Sequence, residues 1–131
     1  MIVTSAGTGA TSRLIAPGHE DARWQSLARR AMLHSECEAV EHWRLPAGYS
    51  LPVSADHGVE EALIVLEGSI SVDVPGEAAP EARAGQCALL PHGIEATVRA
   101  GAHGAVLVSV RALPSEITRA LPPRRPELLP A

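Results

Sequence analysis

The chain contains no lysine, no asparagine and no phenylalanine, and only Trp24, Trp43 and Tyr49 are aromatic. Without lysine, chemistry that runs through a lysine Schiff base is excluded, pyridoxal phosphate enzymology included. Arginine supplies all 11 basic residues; against 15 Asp and Glu they leave a net charge of −4, no footing for a nucleic-acid partner. The missing residue types, beside abundant Ala, Gly, Pro and Arg, match a GC-rich coding bias. No run of about 18 apolar residues is present, so no membrane span is expected. The two cysteines, Cys37 and Cys87, fall at no metal-ligand spacing, and no export segment precedes them. A cytoplasmic protein with reduced thiols is the expectation.

What is present suits one ordered domain: 131 residues, 46% hydrophobic and 20% charged. Residues 1–12 are small and polar, and Arg13–Ala16 reads as a short strand stopped by Pro17-Gly18. Asp21–Met32 predicts a helix, with Asp21 as cap and Trp24, Leu27, Ala28 and Ala31 at helical spacing. From there the pattern turns to strands, in Glu38–Leu45, Leu51–His57, Ala62–Leu66, Ser69–Val74, Gln86–Leu90, Ile94–Val98 and Ala105–Val110. Gly101–Gly104 reads as a loop between the last two. The organisation expected is an N-terminal extension with one helix (1–35), an all-β barrel or sandwich (36–113) and a Pro/Arg-rich C-terminal tail (114–131) whose last residues, 121–131, are extended.

The segment Gly48–Gly68, GYSLPVSADHGVEEALIVLEG, carries most of the chemistry. Strict alternation puts Leu51, Val53, Ala55 and His57 on one face, and Glu61, Leu63 and Val65 on one face of the next strand. His57 and Glu61 then stand at the open end of two apolar faces. An imidazole beside a carboxylate in a low-dielectric pocket can shuttle protons, so the two are candidate catalytic residues. In the preceding strand His42 and Arg44 share one face while Trp43 and Leu45 share the other, and the sequence leaves open which face is interior. If the first is, Arg44 can clamp a carboxylate or phosphate. Tyr49 either lines a ligand pocket near the mouth or covers an edge strand. Cys87 reads as a small buried hydrophobe, and Arg23, Arg29 and Arg30 as a solvated face.

These residues resemble the cupin family, small β-barrels marked by two motifs. Gly48, His57, Glu61 and Gly68 match the first motif, and Gly85, Pro91 and Gly93 match the second. The resemblance covers roughly residues 38–112 and implies a cupin barrel, a double-stranded β-helix of jelly-roll type, with the short N-terminal helix added. Two metal ligands of the family pattern are replaced here. Ala55 stands where the first histidine belongs, and Ala96, with Glu95 beside it, where the last belongs. Either no cofactor is bound, or one divalent metal (Fe, Mn, Zn, Ni or Cu) sits on His57 and Glu61, with Glu95, His42 or His92 as conceivable substitutes.

The function implied is a cupin-type enzyme on a small organic metabolite inside the barrel. Isomerisation, cyclisation, dehydration or lyase chemistry would run through His57 and Glu61, with Arg44, Tyr49, Glu95 and His42 as substrate contacts. Two alternatives stay open, a metal-dependent cupin oxygenase and a non-catalytic ligand-binding or sensor cupin. The partners implied are a small-molecule ligand and a second copy in a homodimer, with neither nucleic acid nor membrane.

Overall fold

Two strands are too long to belong to a single layer, and they organise the molecule. In the computed structural model, which describes residues 12–13, 22–29, 32 and 37–122, β1 is Ser12–Arg13, β2 Arg23–Arg29 and β3 Cys37–Leu45. Then come β4 Ser50–Val53, β5 Glu60–Asp73, β6 Glu81–Arg83, β7 Cys87–Leu90, β8 Ala96–Ala112 and a short helix α1 Ser115–Ala120. Every pairing is antiparallel. The start of β8 pairs with β4 and with the end of β5, which in turn pairs with β6; this is the first layer. The end of β8 pairs with β3 and with the start of β5, which also holds β7, while β2 and β1 extend the β3 edge; this is the second layer.

The two layers close on one core. Ile70, Val72 and Val98 from the first meet Leu63, Val65 and Leu107 from the second in a single buried cluster. Burial of this apolar area, at about 25 cal/mol per Å², drives the closure. In the first layer alternation is clean: Ser69, Ser71, Asp73, Thr97 and Arg99 fall between the buried positions and face outward.

Both long strands change layer where glycines allow it. Register shifts occur between Val65 and Glu67 and between Gly68 and Ile70. Gly68 has φ +72° and Gly104 φ +78°, a left-handed conformation that costs an ordinary residue about 1–2 kcal/mol. A Cβ on Gly68 would strike the carbonyl oxygen of Gly104, and one on Gly104 would lie 2.6 Å from the carbonyl oxygen of Leu45. Three backbones therefore pass with no room for a side chain. Gly68, which the sequence suggests as a tight turn between two strands and as the end of a motif, lies instead within the single strand β5 and sits at this crossing.

Several sequence expectations change. Asp21–Met32 is not a helix, since Arg23–Arg29 is a strand paired with β3. A bulge between Ser26 and Ala28 adds a residue and breaks the period of two. Trp24, Leu27 and Ala28 consequently mimic helical spacing. Asp21, Arg30 and Ala31 lie outside the described residues, as do Leu14–Ala16 of the expected first strand. Among the described residues the α-helix is α1, in the Pro/Arg-rich C-terminal segment, where none was expected. Gly101–Gly104 is no loop but the middle of β8, so Ile94–Val98 and Ala105–Val110 belong largely to one strand. Among the described residues no helix is long and apolar enough to cross a membrane.

Gly68→Ala should lower unfolding free energy by about 2–4 kcal/mol, combining left-handed strain with a backbone clash. Gly58→Ala, at φ +71° with nothing within 4 Å of a Cβ, should cost only about 1 kcal/mol. Urea denaturation compares the two, and equal losses would remove the crossing from this account.

Candidate functional site

The inner face of the second layer can be read row by row from the strand register. Leu90, Glu61, Arg111 and Ala39 stand abreast, then Ala88, Leu63, Ser109 and Glu41, then Val65, Leu107 and Trp43. Most of these positions are apolar. Four are not, and they touch one another. Ser109 Oγ donates to Glu61 Oε1 at 2.8 Å, with both residues buried. Arg111 Nε lies 3.3 Å from Glu61 Oε2, and Arg111 Nη1 lies 3.4 Å from Glu41 Oε1. One guanidinium thus stands between two carboxylates, opposite Glu61 on β5 and diagonal to Glu41 on β3.

The arrangement is electrically lopsided. The side chains of Glu61 and Glu41 are 5% and 13% exposed, against 30% for Arg111. Burial raises the pKa of Glu41 above its ordinary value; Arg111 opposes that rise and the neighbouring Glu61 adds to it. Arg111 meets the carboxylates at ion-pair distance without the alignment of a hydrogen bond. Glu41 Oε1, Arg111 Nε and the nearby Trp43 Nε1 have no hydrogen-bond partner among the described residues. Buried polar atoms in that condition favour a group that would satisfy them. A cavity of about 460 Å³ opens between β6 and β7, lined by Val72, Ala82, Ala88, Leu90 and Ile94 among others. Leu90, in its wall, is the cross-strand neighbour of Glu61.

The residues singled out from sequence lie in different places. Glu61 is buried in the cluster just described. His57 is not on a strand: Ser54 Oγ accepts from the Asp56 amide at 3.2 Å and starts a 3₁₀ turn, Ala55–His57, closed by left-handed Gly58. Alternation therefore stops at Val53, and His57 is exposed on the turn instead of continuing the apolar face. Glu95 accepts from the Ala55 amide at 2.8 Å and from Ser54 Oγ at 3.4 Å, which ties down that same turn. In β3 it is Trp43 and Leu45 that are buried, so Arg44 and His42 face away from the interior. Burial, helped by Arg44 and opposed by Glu67, lowers the pKa of His42. Tyr49 is a core residue whose hydroxyl pKa burial raises. Cys87, expected to be buried, is exposed.

Neither a family model nor a curated protein matches the sequence. Solved structures do match. A predicted oxalate decarboxylase from Thermotoga maritima superposes with a TM-score of 0.69 at 18% identity, covering 87% of this chain and 100% of that one. The Cnp3 cupin domain of Schizosaccharomyces pombe gives 0.68 at 16%, covering 88% and 77%. KdgF from Halomonas sp. gives 0.67 at 12%, covering 89% and 99%.

This chain has the cupin fold.

The metal that cupins carry is a separate question. Among the described residues no three His, Cys, Asp or Glu side chains are grouped to hold an ion. Ala55 and Ala96 occupy two motif positions, His57 is exposed on its turn, and Glu61 is engaged by Ser109 and Arg111. The residues present do not fit a cupin metal centre, which needs three or four protein ligands. The polar residues of this inner face form an ion cluster instead.

Glu41, Ser109 and Arg111 were not among the sequence candidates. The signal for them was a polar residue on an otherwise apolar alternating face: Glu41 with Trp43 and Leu45, Ser109 and Arg111 with Ala105 and Leu107. Reading it required knowing which face of β3 is interior.

Two measurements check the cluster. Ser109→Ala, which strips a buried bond from Glu61, should destabilise by about 1–2 kcal/mol in urea melts. Glu41 is harder to ionise folded than unfolded, so its contribution to stability declines as pH rises past its ordinary value of 4.5. Glu41→Gln should therefore gain Tm relative to the parent as pH increases from about 4 to 8. A Tm difference that is flat with pH would contradict the raised pKa.

Proposed function

We propose that this cupin holds a small organic molecule in its barrel and moves a proton on it with Glu41 and Glu61 about Arg111. The observation that carries this reading is the cluster itself: a buried carboxyl, Glu61, and a half-buried one with a raised pKa, Glu41, share a single guanidinium, and Glu41 Oε1, Arg111 Nε and Trp43 Nε1 have no hydrogen-bond partner among the described residues. Paired acids whose environments differ are a recurrent basis for acid–base work near neutral pH. Glu41, with the raised pKa, is the proton donor. Glu61, positioned by Ser109 Oγ, is the acceptor. Arg111, the most exposed of the three, faces the charge that develops on the substrate oxygen.

The reaction class is proton transfer next to a carbonyl or hydroxyl, as in isomerisation, cyclisation, dehydration or a lyase step. The neighbours of this fold carry dissimilar descriptions, so the fold leaves the substrate open and the reading rests on the cluster. His57 has no role in this scheme, unlike in the reading drawn from the motif. The non-catalytic alternative, a sensor that binds without turnover, is an outcome of the same experiment.

A panel of small 2-oxo and 2-hydroxy acids and ketoses, incubated with the protein in D₂O and followed by NMR, should reveal a compound that acquires solvent deuterium. Glu41→Gln and Glu61→Gln should each slow that exchange by about 10²-fold or more, while His57→Ala leaves it within a factor of about two. Loss of exchange in His57→Ala alone would return the chemistry to the motif histidine. Saturable binding with no exchange across the panel would make the protein a binding module.

A further inference from the structure

On the outer face of the second layer, sheet register brings together a second polar group. Arg44 on β3 and Glu67 on β5 are both cross-strand partners of Val106 on β8, one from each side. With strands about 4.8 Å apart, their Cα atoms stand about 10 Å from each other. A bulge sets this alignment. The register passes from Val65 opposite Leu107 directly to Glu67 opposite Val106, so Leu66 is the extra residue. Without the bulge Leu66 would oppose Val106, and Glu67 would turn toward the core. Instead Leu66 and Glu67 are both exposed. Val106 is only 7% exposed, yet it is not part of the core cluster that takes in its neighbours Ala105 and Leu107. Its cover lies on the outside.

That cover is a small pocket. Arg44, Glu67 and His103 line a depression of about 170 Å³ at Val106, and the Gly68–Gly104 crossing lines it too. At ~30 Å³ for each water-sized group, this is room for about six non-hydrogen atoms. The pocket holds both signs of charge, but among the described residues neither Arg44 nor Glu67 enters an ion pair. Arg44 also stands directly across from Arg23, exposed like itself. Like charges so placed repel, which favours an anion beside them. A bare phosphate would meet Glu67 unfavourably, and a simple amine would meet Arg44. One small molecule that carries both a carboxylate and an ammonium suits both walls.

We infer that this outer pocket binds a small zwitterion of the α-amino acid class, its carboxylate on Arg44 and His103 and its ammonium on Glu67. The site lies on the opposite side of the sheet from Glu41 and Glu61, and it does not rest on the chemistry proposed for them. Titrating the isotope-labelled full chain with L-alanine should shift the backbone amides of Glu67, Gly104 and Val106 saturably in NMR spectra, with a Kd of about 1–10 mM. Arg44→Gln and Glu67→Gln, both at exposed positions, should each raise that Kd by about tenfold or more. Glu60→Gln, at an exposed carboxylate elsewhere on β5, should leave it within a factor of about two. Acetate and ethylammonium, each with half of the charge pattern, should bind about tenfold more weakly than alanine or worse. Absence of a saturable shift overturns the inference, as does a Kd that either pocket variant leaves unchanged. Acetate binding as tightly as alanine makes the pocket a plain anion site and rejects the zwitterion.

Discussion

The molecule depends on one close passage of backbone, where Gly68 and Gly104 cross beneath the carbonyl of Leu45. Only residues without a Cβ fit, and both adopt a left-handed conformation there. The crossing lets β5 and β8 leave one layer and enter the other while still paired with each other. A sandwich whose layers were joined only by loops could slide. This one cannot, because two of its strands belong to both sheets. The placement of Glu61 and Arg111, on the second-layer halves of those two strands, follows from that junction.

The ion cluster is poorly explained as a stabilising device. Removing carboxylates from water is costly, and a single guanidinium shared between two of them returns only part of that cost. The raised pKa of Glu41 is the visible sign of the shortfall. A hydrophobic trio at these positions would fit the surrounding leucines and valines at least as well. Where an interior retains charge at a stability cost, a chemical role is the natural explanation.

Much of the fold was legible because its information is local: glycines at tight turns, strands of period two, and motif spacings that record where the chain must bend. Two kinds of error have physical causes. A β-bulge after Ser26 shifted the phase of β2, and the resulting pattern of Trp24, Leu27 and Ala28 is indistinguishable from a helix in sequence alone. A serine-started 3₁₀ turn interrupted the strand that seemed to deliver His57 to Glu61. The candidate site was less legible than the fold because it is assembled from β3, β5 and β8, which meet only through sheet register. Glu41 and Arg111 are 70 residues apart in the chain and share no motif. Nothing short of the three-dimensional pairing brings them together.

The same scarcity of aromatic residues that marked the sequence has a practical side. The chain has two tryptophans, Trp24 and Trp43, and their rings lie 6.5 Å apart at 31° on adjacent strands. Trp43 is two positions from Glu41 along β3, and its indole N–H is buried without a partner among the described residues. All indole fluorescence of the protein thus arises from one spot beside the ion cluster. Its emission wavelength and quenching form a built-in optical reporter of that corner of the barrel, requiring no label.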